Sequence, residues 1–406
     1  MNTPRIVIAG AGTAGHHLAA ALRESGFDGA VSLIGDEPHL PYHRPPLSKD
    51  YLAGTAHPDS LSLRAPAFYT EHKVATHLGI PVRQIDRTTH RVVLADDRPL
   101  AYDHLVLALG ASPGPSTYRG GTSEVWWSCA PAPTPNAPRT PTRGLPGGSG
   151  RRWIHRTRGC GRRPQARRRC HRSRSEAHFD ESGPVHHRRS PSRRVAYCAG
   201  RSGGLLDCRV RAGRQCGARI RRHHHGRQRL AADVVVLGSG VVPNVAPAAA
   251  AGLDVANGVV VDEYLTTSDP RISAVGDCAN FPAPCGDRIR LESIQNAVDQ
   301  ARYVARRING HTGTYSAVPY FWSDQFGMKL QIVGHAARSD RTVIRGTDTK
   351  FSIFRFHGDE LAAVESINDP MTHLTVRKIL GAGGTLTPDQ ADETVDLRAL
   401  ARNLAG

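Results

Sequence analysis

Three glycines with the spacing of a phosphate-binding loop stand near the start of the chain, where residues 10–15 read GAGTAG. Gly10 permits a tight turn, Gly12 lets the backbone approach a pyrophosphate, and Gly15 lets a helix pack closely on a strand. The free N–H groups and positive dipole of that helix would receive the phosphates. Asp36 follows 21 residues after Gly15, where a carboxylate accepts the hydroxyls of an adenosine ribose. This spacing predicts a dinucleotide site, and the alternative is a purely structural glycine turn.

A second candidate site lies far along the chain, in the run TSDPRISAVGD at residues 267–277. A turn is followed by a short strand and then by Gly276 and Asp277. The glycine allows close approach of a ligand to the backbone, and the carboxylate can accept a hydrogen bond from a ligand hydroxyl. The alternative is a strand that ends in an ordinary turn.

Two further side chains are candidates on weaker grounds. Pro45 and Pro46 stiffen the loop before a predicted helix, and Lys49 places a positive charge beside that loop. The alternative for Lys49 is a solvated lysine at the start of a helix. Trp322 is followed by the polar run SDQ, and such an aromatic side chain at a domain junction would stack near a cofactor ring. Packing in a core is the alternative for Trp322.

The elements that must position these residues alternate between strand and helix, which predicts βαβ units and a parallel sheet. Strands Arg5–Ala9 and Val31–Ile34 enclose a helix over Thr13–Ser25. Two strand-to-turn runs, at residues 107–113 and 237–244, resemble crossings between nucleotide domains. The remaining periodic segments predict strands at 91–94, 104–109 and 232–237, a helix at 292–308, and a smaller α+β unit with strands at 329–334, 351–356 and 361–366 and a helix at 373–380.

The net charge of +17 is concentrated in one segment. Residues 139–229 hold 26 Arg, no Lys and only four acids (Glu176, Asp180, Glu181 and Asp207), a net charge of +22, so the other residues together carry −5. From residue 114 to 228 no apolar periodicity is visible, whereas a mildly acidic remainder is ordinary for an enzyme. A basic linker and a nucleic-acid-binding tail are both open at this point.

Cysteine spacing and hydropathy exclude several classes of protein. No CxxC or CxxxxC pair occurs, which argues against a zinc ribbon, a disulfide framework and a redox-active dithiol. No run of eighteen apolar residues occurs, so we expect no membrane span. The first eight residues lead directly into a strand pattern without the features of a secretory signal, which favours a cytoplasmic protein.

The runs at residues 33–49, 276–279 and 322–325 together resemble the FAD-dependent NAD(P)H:ferredoxin reductases of the putidaredoxin reductase and rhodocoxin reductase type. This family serves bacterial cytochromes P450 and aromatic-ring dioxygenases and belongs to the pyridine nucleotide-disulphide oxidoreductase superfamily. The resemblance covers residues 1–113 and 230–380. It implies an α/β fold with a glutathione-reductase-like Rossmann FAD domain in two segments, a nicotinamide-binding domain between them, and a C-terminal α+β domain.

The resemblance also implies which residues bind the cofactor. Trp322 would lie near the isoalloxazine, and Asp277 would face the ribityl chain. Leu109 departs from the family, which usually has Thr before the glycine, and we expect a slight perturbation of the domain crossing there. Implied FAD contacts are Gly10, Gly12, Ala14, Gly15, Asp36, Lys49, Val82, Gly276, Asp277, Ile294 and Trp322. The implied domains are 1–116 and 229–320 for FAD, 117–228 for NAD(P)H and 321–406 for the C-terminal unit.

The expected nicotinamide domain is disrupted, because no second glycine motif stands between a strand and a helix. Permitted codons for residues 151–161, translated from the second base, give VGGFIGLEVA, which resembles the missing glycine motif. The same treatment of residues 170–175 gives VTVVEA, which resembles a strand ending in its ribose acid. Residues 117–130 and 222–226 give family-like text in shifted frames too. The pattern indicates a frameshift, and we expect residues 117–228 to form no well-packed domain.

In the intact family, the nicotinamide gives a hydride to the flavin, which releases electrons singly to a [2Fe–2S] ferredoxin. The resemblance therefore implies FAD, NAD(P)H and a ferredoxin partner, and indirectly a cytochrome P450 or a dioxygenase. Direct hydride transfer needs no side-chain acid or base, so we expect no catalytic side chain, and no metal, nucleic acid or membrane is expected. The alternatives are a flavoprotein that reduces a quinone or another small molecule, and a nucleic-acid-binding protein that uses the Arg-rich segment.

Overall fold

The computed structural model describes most of the chain outside its Arg-rich middle. The described residues are 3–113, 186–189, 193–199, 208–211, 217–220, 228–231, 234–238, 240–283, 286–325, 327–337 and 339–403. Contacts between residues group the chain into two units. The first unit contains residues 1–37, 65–110 and 245–406, and the second contains residues 38–64 and 111–244.

A five-stranded parallel sheet forms the core of the first unit. Its strands follow the spatial order β17-β7-β1-β2-β3. Strand β1 is buried from Ile6 to Ala9, as expected of a parallel strand with both faces covered. The elements of this sheet and its helices are β1 (Arg5–Ala9), α1 (Thr13–Glu24), β2 (Ala30–Ile34), α3 (Pro66–Glu71), β3 (Val74–His77), β7 (His104–Leu107), β17 (Ile272–Ala274) and α5 (Ile294–Ile308).

The central strand pairing unites two distant parts of the chain. Strand β17 pairs in parallel with β7, with Ser273 opposite Val106, although more than 160 residues separate them. Helix α1 contacts helix α5, so a helix from each part packs against the other. The predicted assembly of one parallel sheet from two chain segments is therefore present in the structure.

Two small sheets also belong to the first unit, one wholly antiparallel and one in which the first two strands pair in parallel. One contains β4 (Val82–Asp86), β5 (Arg91–Leu94) and β6 (Pro99–Ala101), and the other contains β16 (Val259–Val260), β18 (Ala279–Pro282) and β19 (Arg288–Ile289). A short helix, α4 (Ala246–Ala250), contacts β4.

The C-terminal segment forms a five-stranded antiparallel sheet in the order β20-β21-β24-β23-β22. Phe354, Phe356 and Val376 are fully buried in its core. Helix α6 begins at Pro370, three residues before the predicted start, because proline suits the first turn of a helix. The elements are β20 (Tyr320–Gln325), β21 (Met328–Gly334), β22 (Arg341–Thr347), β23 (Lys350–His357), β24 (Glu360–Ile367), α6 (Pro370–Gly381) and α7 (Leu397–Asn403).

The second unit contains helix α2 (Asp50–Ala53) and strands β8 (Ala111–Pro113) and β15 (Val241–Pro243), which pair with each other. No regular element was predicted between residues 117 and 228. Short strands nevertheless occur there, since backbone N–H and C=O groups can form strand hydrogen bonds whatever the side chains are. Most residues of this range lie outside the described part of the chain, so the expectation that the range forms no packed domain falls there as well. The short strands, with one that follows, are β9 (His186–Arg189), β10 (Arg193–Ala199), β11 (Cys208–Arg211), β12 (Gly217–Ile220), β13 (Gln228–Ala231) and β14 (Val234–Gly238).

Candidate functional site

The carboxyl ends of the parallel strands meet at one edge of the sheet. The N–H of Gly10 donates to the carbonyl of Ile34 at 2.8 Å, which joins the end of β1 to the end of β2. On the other side, the N–H of Val275 donates to the carbonyl of Leu107 at 2.9 Å and joins β17 to β7. The glycine loop, Asp36 and the turn at Gly276 therefore follow the ends of strands that lie in one sheet. Ligands of open α/β sheets bind at this edge.

The glycine loop has the geometry of a phosphate cradle. Gly10 has φ +125°, and a Cβ on it would overlap the carbonyl oxygen of Ala108. A Cβ on Gly15 would overlap the carbonyl oxygen of Gly10, so helix α1 can start only because residue 15 lacks a side chain. Gly12, in contrast, has no atom within 4 Å of its Cβ position. The open space lies beside the start of α1, where an anionic group is stabilised, so these residues fit a dinucleotide pyrophosphate.

Asp36 stands at the end of β2, as predicted. The preceding residue, Gly35, is buried and packs so closely on the glycine loop that a Cβ would lie 2.8 Å from the Cβ of Ala11. Asp36 itself is exposed. A carboxylate at this position is beside the loop and within reach of solvent or of a ribose.

The turn at Gly276 brings the distant segment onto the glycine-loop helix. Gly276 has φ +74°, and a Cβ on it would lie 3.1 Å from the Cβ of Ala14 and 3.7 Å from that of Ala297. The first turns of α1 and α5 therefore meet at this glycine. Ser293 caps α5, because its hydroxyl accepts the N–H of Asn296 at 3.1 Å. The predicted helix started two residues earlier, at residue 292, and this cap explains why α5 starts at Ile294 instead.

Asp277 is half-buried and its backbone is held by an arginine that the sequence reasoning missed. Nη1 of Arg290 donates to the carbonyl of Asp277 at 3.1 Å, and Nη2 donates to Glu292 at 2.9 Å. The Arg290 side chain is only 9% exposed. A charge-assisted hydrogen bond of this kind restrains the turn. No spacing signal marked Arg290, because it reaches Asp277 only through the β18–β19 hairpin.

Three predicted residues lie on other elements. Val82 is the first residue of β4, is half-buried and pairs with Leu94. Trp322 lies in β20, opposite Gln331, and β20 contacts α5. Lys49 directly follows a short 3-10 helix over Pro45–Ser48 in the second unit and is half-buried. The structure thus joins the glycine loop, Asp36, Gly276 and the start of α5, whereas Lys49 belongs to a different unit.

Cysteine chemistry is absent from the described part of this site. Cys278 is fully buried, and its thiol donates weakly to the carbonyls of Leu107 and Val275 at 3.5 and 3.4 Å. Burial raises the pKa of Cys278 to about 11. The thiol therefore stays protonated near neutral pH and is no nucleophile. Within the described residues, no group of three or more His, Cys, Asp or Glu could hold a metal ion, and no helix is long and apolar enough to cross a membrane.

A glycine loop, an acid at the end of the second strand and a Gly-Asp turn from a distant segment define a dinucleotide-binding protein of the two-segment Rossmann class. The pyridine nucleotide-disulphide oxidoreductase family model matches residues 4–130 and 205–301. The reductase C-terminal family model matches residues 320–401. The class defined by the geometry and the families found from the sequence therefore agree.

Relatives extend over nearly the whole chain. Rhodocoxin reductase of Rhodococcus erythropolis is 39% identical, and the alignment covers 98% of this chain and 95% of that protein. Putidaredoxin reductase of Pseudomonas putida is 34% identical, with 97% and 96% covered. The solved ferredoxin reductase for the CYP199A2 system of Rhodopseudomonas palustris has a TM-score of 0.75 at 31% identity, covering 98% of this chain and 99% of that one.

A covalent putidaredoxin reductase–putidaredoxin complex is similar in fold, with a TM-score of 0.77 at 27% identity and full coverage of both chains. The chain therefore belongs to the pyridine nucleotide-disulphide oxidoreductase family, within its FAD-dependent NAD(P)H:ferredoxin reductases.

Proposed function

We propose that this chain is an oxidoreductase of the class that takes electrons from NAD(P)H through FAD to a [2Fe–2S] ferredoxin, which serves a cytochrome P450 or a ring-hydroxylating dioxygenase. We further propose that the chain as written transfers these electrons poorly or not at all, because its NAD(P)H site is scrambled. The observation that carries the proposal is the meeting of the glycine loop, Asp36 and the Gly276 turn at one sheet edge. The chain holds this site in a sequence that aligns from end to end with ferredoxin reductases.

The glycine loop and Asp36 would hold the adenosine half of FAD. Gly12 leaves open space beside the start of α1, so the pyrophosphate would accept N–H groups there, aided by the dipole of α1. Ala14, Gly10 and Gly15 shape the same surface. The exposed carboxylate of Asp36 would accept the two ribose hydroxyls.

The second segment would hold the flavin half. Asp277 would accept a ribityl hydroxyl, and Gly276 would let that chain approach the backbone. Ile294 opens α5, whose N-terminal dipole stabilises negative charge. Val82, Lys49 and Trp322 complete the proposed contacts, with Trp322 near the flavin ring. Bound FAD supplies the redox chemistry, since it accepts two electrons and releases them singly. The protein's own residues bind and orient it, and we assign no side chain as acid or base.

The names of the relatives support the proposed partner. Putidaredoxin reductase is seen in a covalent complex with putidaredoxin, and another relative is the reductase component of an anthranilate 1,2-dioxygenase system. We extend this partner class, a small iron–sulfur protein, to the present chain. Reduction of cytochrome c by NADH and the frame-corrected chain, only when a ferredoxin is added, would support the proposal. Equal reduction without ferredoxin, or direct reduction of a quinone, would favour the small-molecule reductase.

We also propose that residues 117–228 are translated out of frame and replace the nicotinamide-binding domain. Within this range the family model matches residues 117–130 and 205–228 but leaves residues 131–204, which hold most of the Arg-rich segment, unmatched. The chain nevertheless spans 95% of the length of rhodocoxin reductase and 96% of that of putidaredoxin reductase. The Arg-rich segment therefore replaces family sequence and is not an added insert. We therefore propose that residues 1–116 and 229–320 form the two segments of the FAD domain, that residues 117–228 replace the NAD(P)H domain, and that residues 321–406 form the C-terminal domain. The nucleotide sequence from codon 110 to codon 232 would decide the reading frame.

The direct test of function compares the chain as written with its frame-corrected version. Hydride transfer needs the nicotinamide within about 3–3.5 Å of its acceptor in an aligned pose. We expect flavin bleaching by NADH in stopped-flow mixing to be fast for the corrected chain and slow or absent for the chain as written. Equal rates would contradict the frameshift proposal. A corrected chain that binds no FAD would contradict the proposed function itself.

A nucleic-acid-binding function rests only on the Arg-rich segment. Such binding would weaken steeply with salt, so a filter-binding series in increasing salt, run alongside the flavin spectrum, separates the two classes.

A cytoplasmic location completes the proposal. The free, buried thiol of Cys278 suits a reducing compartment. Fractionation of the native host would test the location, and recovery outside the cytoplasm would contradict it.

A further inference from the structure

Gln300 lies on the inner face of α5 and has no exposed surface. Its side-chain carbonyl oxygen accepts the N–H of Gly276 at 2.7 Å. This N–H belongs to a turn between a strand and a single 3-10 turn, so its hydrogen bond is made by a side chain and not by a regular ladder. A buried N–H that lost this acceptor would be destabilising.

The same bond ties together two elements proposed to contact the flavin. Gly276 directly precedes Asp277, and α5 begins at Ile294, six residues before Gln300. Because a helix rises about 1.5 Å per residue, six residues span roughly 9 Å. Gln300 in α5 therefore fixes the position of the Gly276 peptide, and the first turn of α5 lies at the same carboxyl edge of the sheet. The tight fit of Gly276 against Ala14 leaves the turn little other freedom.

We propose that Gln300 is a positioning residue for the flavin, because it holds the Asp277 turn at a set distance from the start of α5 before FAD binds. The inference rests on the proposed function, in which Asp277 and Ile294 contact FAD. Gln300 suits the role since an amide carbonyl accepts a hydrogen bond without bringing a buried charge. It acts through Gly276 and is not itself a contact of the cofactor.

A merely structural glutamine would stabilise the fold equally with and without FAD. A positioning glutamine affects the cofactor beyond its effect on the fold. The two roles are separated by measuring three quantities on the full-length chain: the Kd for FAD, the midpoint potential of the bound flavin, and the urea midpoint of the apoprotein. The last quantity reports structural loss alone.

Three variants make the comparison. Gln300→Met keeps the length of the side chain and removes the acceptor. Gln300→Glu keeps an acceptor oxygen and removes the amide nitrogen, which has no partner among the described atoms; it is measured at pH 5.5, where burial keeps the Glu carboxyl protonated and so adds no buried charge. Gln390→Met is the matched control, because the side-chain carbonyl of Gln390 accepts the N–H of Thr387 at 2.9 Å in an exposed C-terminal turn.

We expect Gln300→Met to weaken FAD binding about tenfold, or about 1.4 kcal/mol, and to shift the flavin potential. Gln300→Glu should bring the Kd back to within about threefold of the wild type, since each 1.4 kcal/mol is tenfold. Gln390→Met should leave both quantities unchanged. The inference is overturned if Gln300→Met lowers the urea midpoint but leaves the Kd and the potential at wild-type values, or if Gln300→Glu is no better than Gln300→Met.

Hydrogen exchange on the wild-type chain tests the same claim without a variant. We expect the Gly276 amide to be protected in the apoprotein and to gain little further protection with FAD. Rapid exchange of this amide in the apoprotein would overturn the inference, even if Gln300→Met fails to fold. If neither the chain as written nor its frame-corrected version binds FAD, the proposed function fails and this inference with it. A failure confined to the variants or to the exchange overturns this inference alone.

Discussion

The two ends of the parallel sheet differ in how their polar groups are used. At the amino end, side chains satisfy one another: Arg5 donates to Asp103 at 3.0 Å, and Nε of Arg87 donates to Asp269 at 2.8 Å. At the carboxyl end, the glycine loop holds backbone N–H groups beside open space. The amino end therefore contributes mainly to stability, and the carboxyl end offers the open backbone groups that the proposed cofactor site needs.

The amino end also joins the two chain segments through buried hydrogen bonds. Nε2 of His104 lies 3.0 Å from the hydroxyl of Ser273, which accepts Nη2 of Arg307 at 3.0 Å. Burial, with the nearby charge of Arg307, lowers the pKa of His104 to about 4. Neutral His104 therefore shares a hydrogen bond with the hydroxyl of Ser273, and the tautomer of His104 decides which group donates. The comparison teaches that side-chain bonds which stabilise the sheet and the proposed cofactor site lie at opposite edges of one sheet, so mutations should separate stability from FAD binding.

The largest expected effect is at Gly15. Gly15→Ala places a methyl group on the carbonyl oxygen of Gly10, so the loop or α1 must shift. We expect the apoprotein to lose more than about 3 kcal/mol of unfolding free energy and FAD binding to disappear. Urea unfolding and FAD titration measure the two effects. Gly381→Ala, at the end of α6 with no atom within 4 Å, is the control and should be neutral.

Gly12→Ala sharpens this contrast, because the same change is made where the Cβ position is empty. Stability should stay within about 0.5 kcal/mol of the wild type, while FAD affinity falls as the methyl group enters the proposed pyrophosphate space. A Gly12→Ala chain with wild-type FAD affinity would show that the open space is not the phosphate site.

Asp269→Asn tests the amino end and should act on stability alone. Burial raises the pKa of Asp269, but the hydrogen bonds from Arg87 and from the N–H of Arg271 outweigh it and leave the pKa below its ordinary value of 3.8. The carboxylate thus stabilises the fold above that value, and the contribution is lost as pH falls through the lowered pKa. We expect a loss of about 2 kcal/mol at pH 7 by urea unfolding.

FAD affinity should be unchanged in Asp269→Asn. The control is Asp97→Asn, which removes an exposed ion pair with Arg83 and should cost less than about 0.5 kcal/mol. Equal effects of the two substitutions would contradict the assignment of Asp269 to the stable end of the sheet.

Asp36→Asn is the reciprocal test at the carboxyl end. The residue is exposed, so we expect the urea midpoint to stay constant while the Kd for FAD rises about tenfold, or about 1.4 kcal/mol. Asp28→Asn, an exposed acid in the preceding turn, serves as the control. A loss of stability without a change in Kd would place Asp36 with the structural residues.

The smallest expected effect is a change in pH dependence at His104. Because the folded-state pKa is lowered to about 4, stability is greatest above the unfolded pKa of about 6.5 and falls as pH decreases toward 4. Between pH 6.5 and 5.5 the expected loss from His104 is about 1 kcal/mol. His104→Gln should flatten this part of the curve, and an unchanged slope would show that another group causes it.

Local sequence was enough to predict the strand–loop–helix unit at residues 5–24, Asp36 after β2 and the C-terminal strands, because periodicity and glycine spacing are local signals. It also predicted the turn at residues 276 and 277, which the structure contains; that this turn binds a ligand stays a prediction. Other elements, such as β3, β22 and α7, were missed, since their residues of mixed polarity show no clear period.

Only the tertiary structure decided which side chains hold these motifs together. Gln300 and Arg290 carry no motif, yet each binds the backbone of the Gly276–Asp277 turn. His104 and Ser273 meet because β7 pairs with β17 across more than 160 residues. Such long-range contacts depend on the strand order and on the close packing of glycine backbones, and neither can be predicted from residues that are adjacent in the sequence.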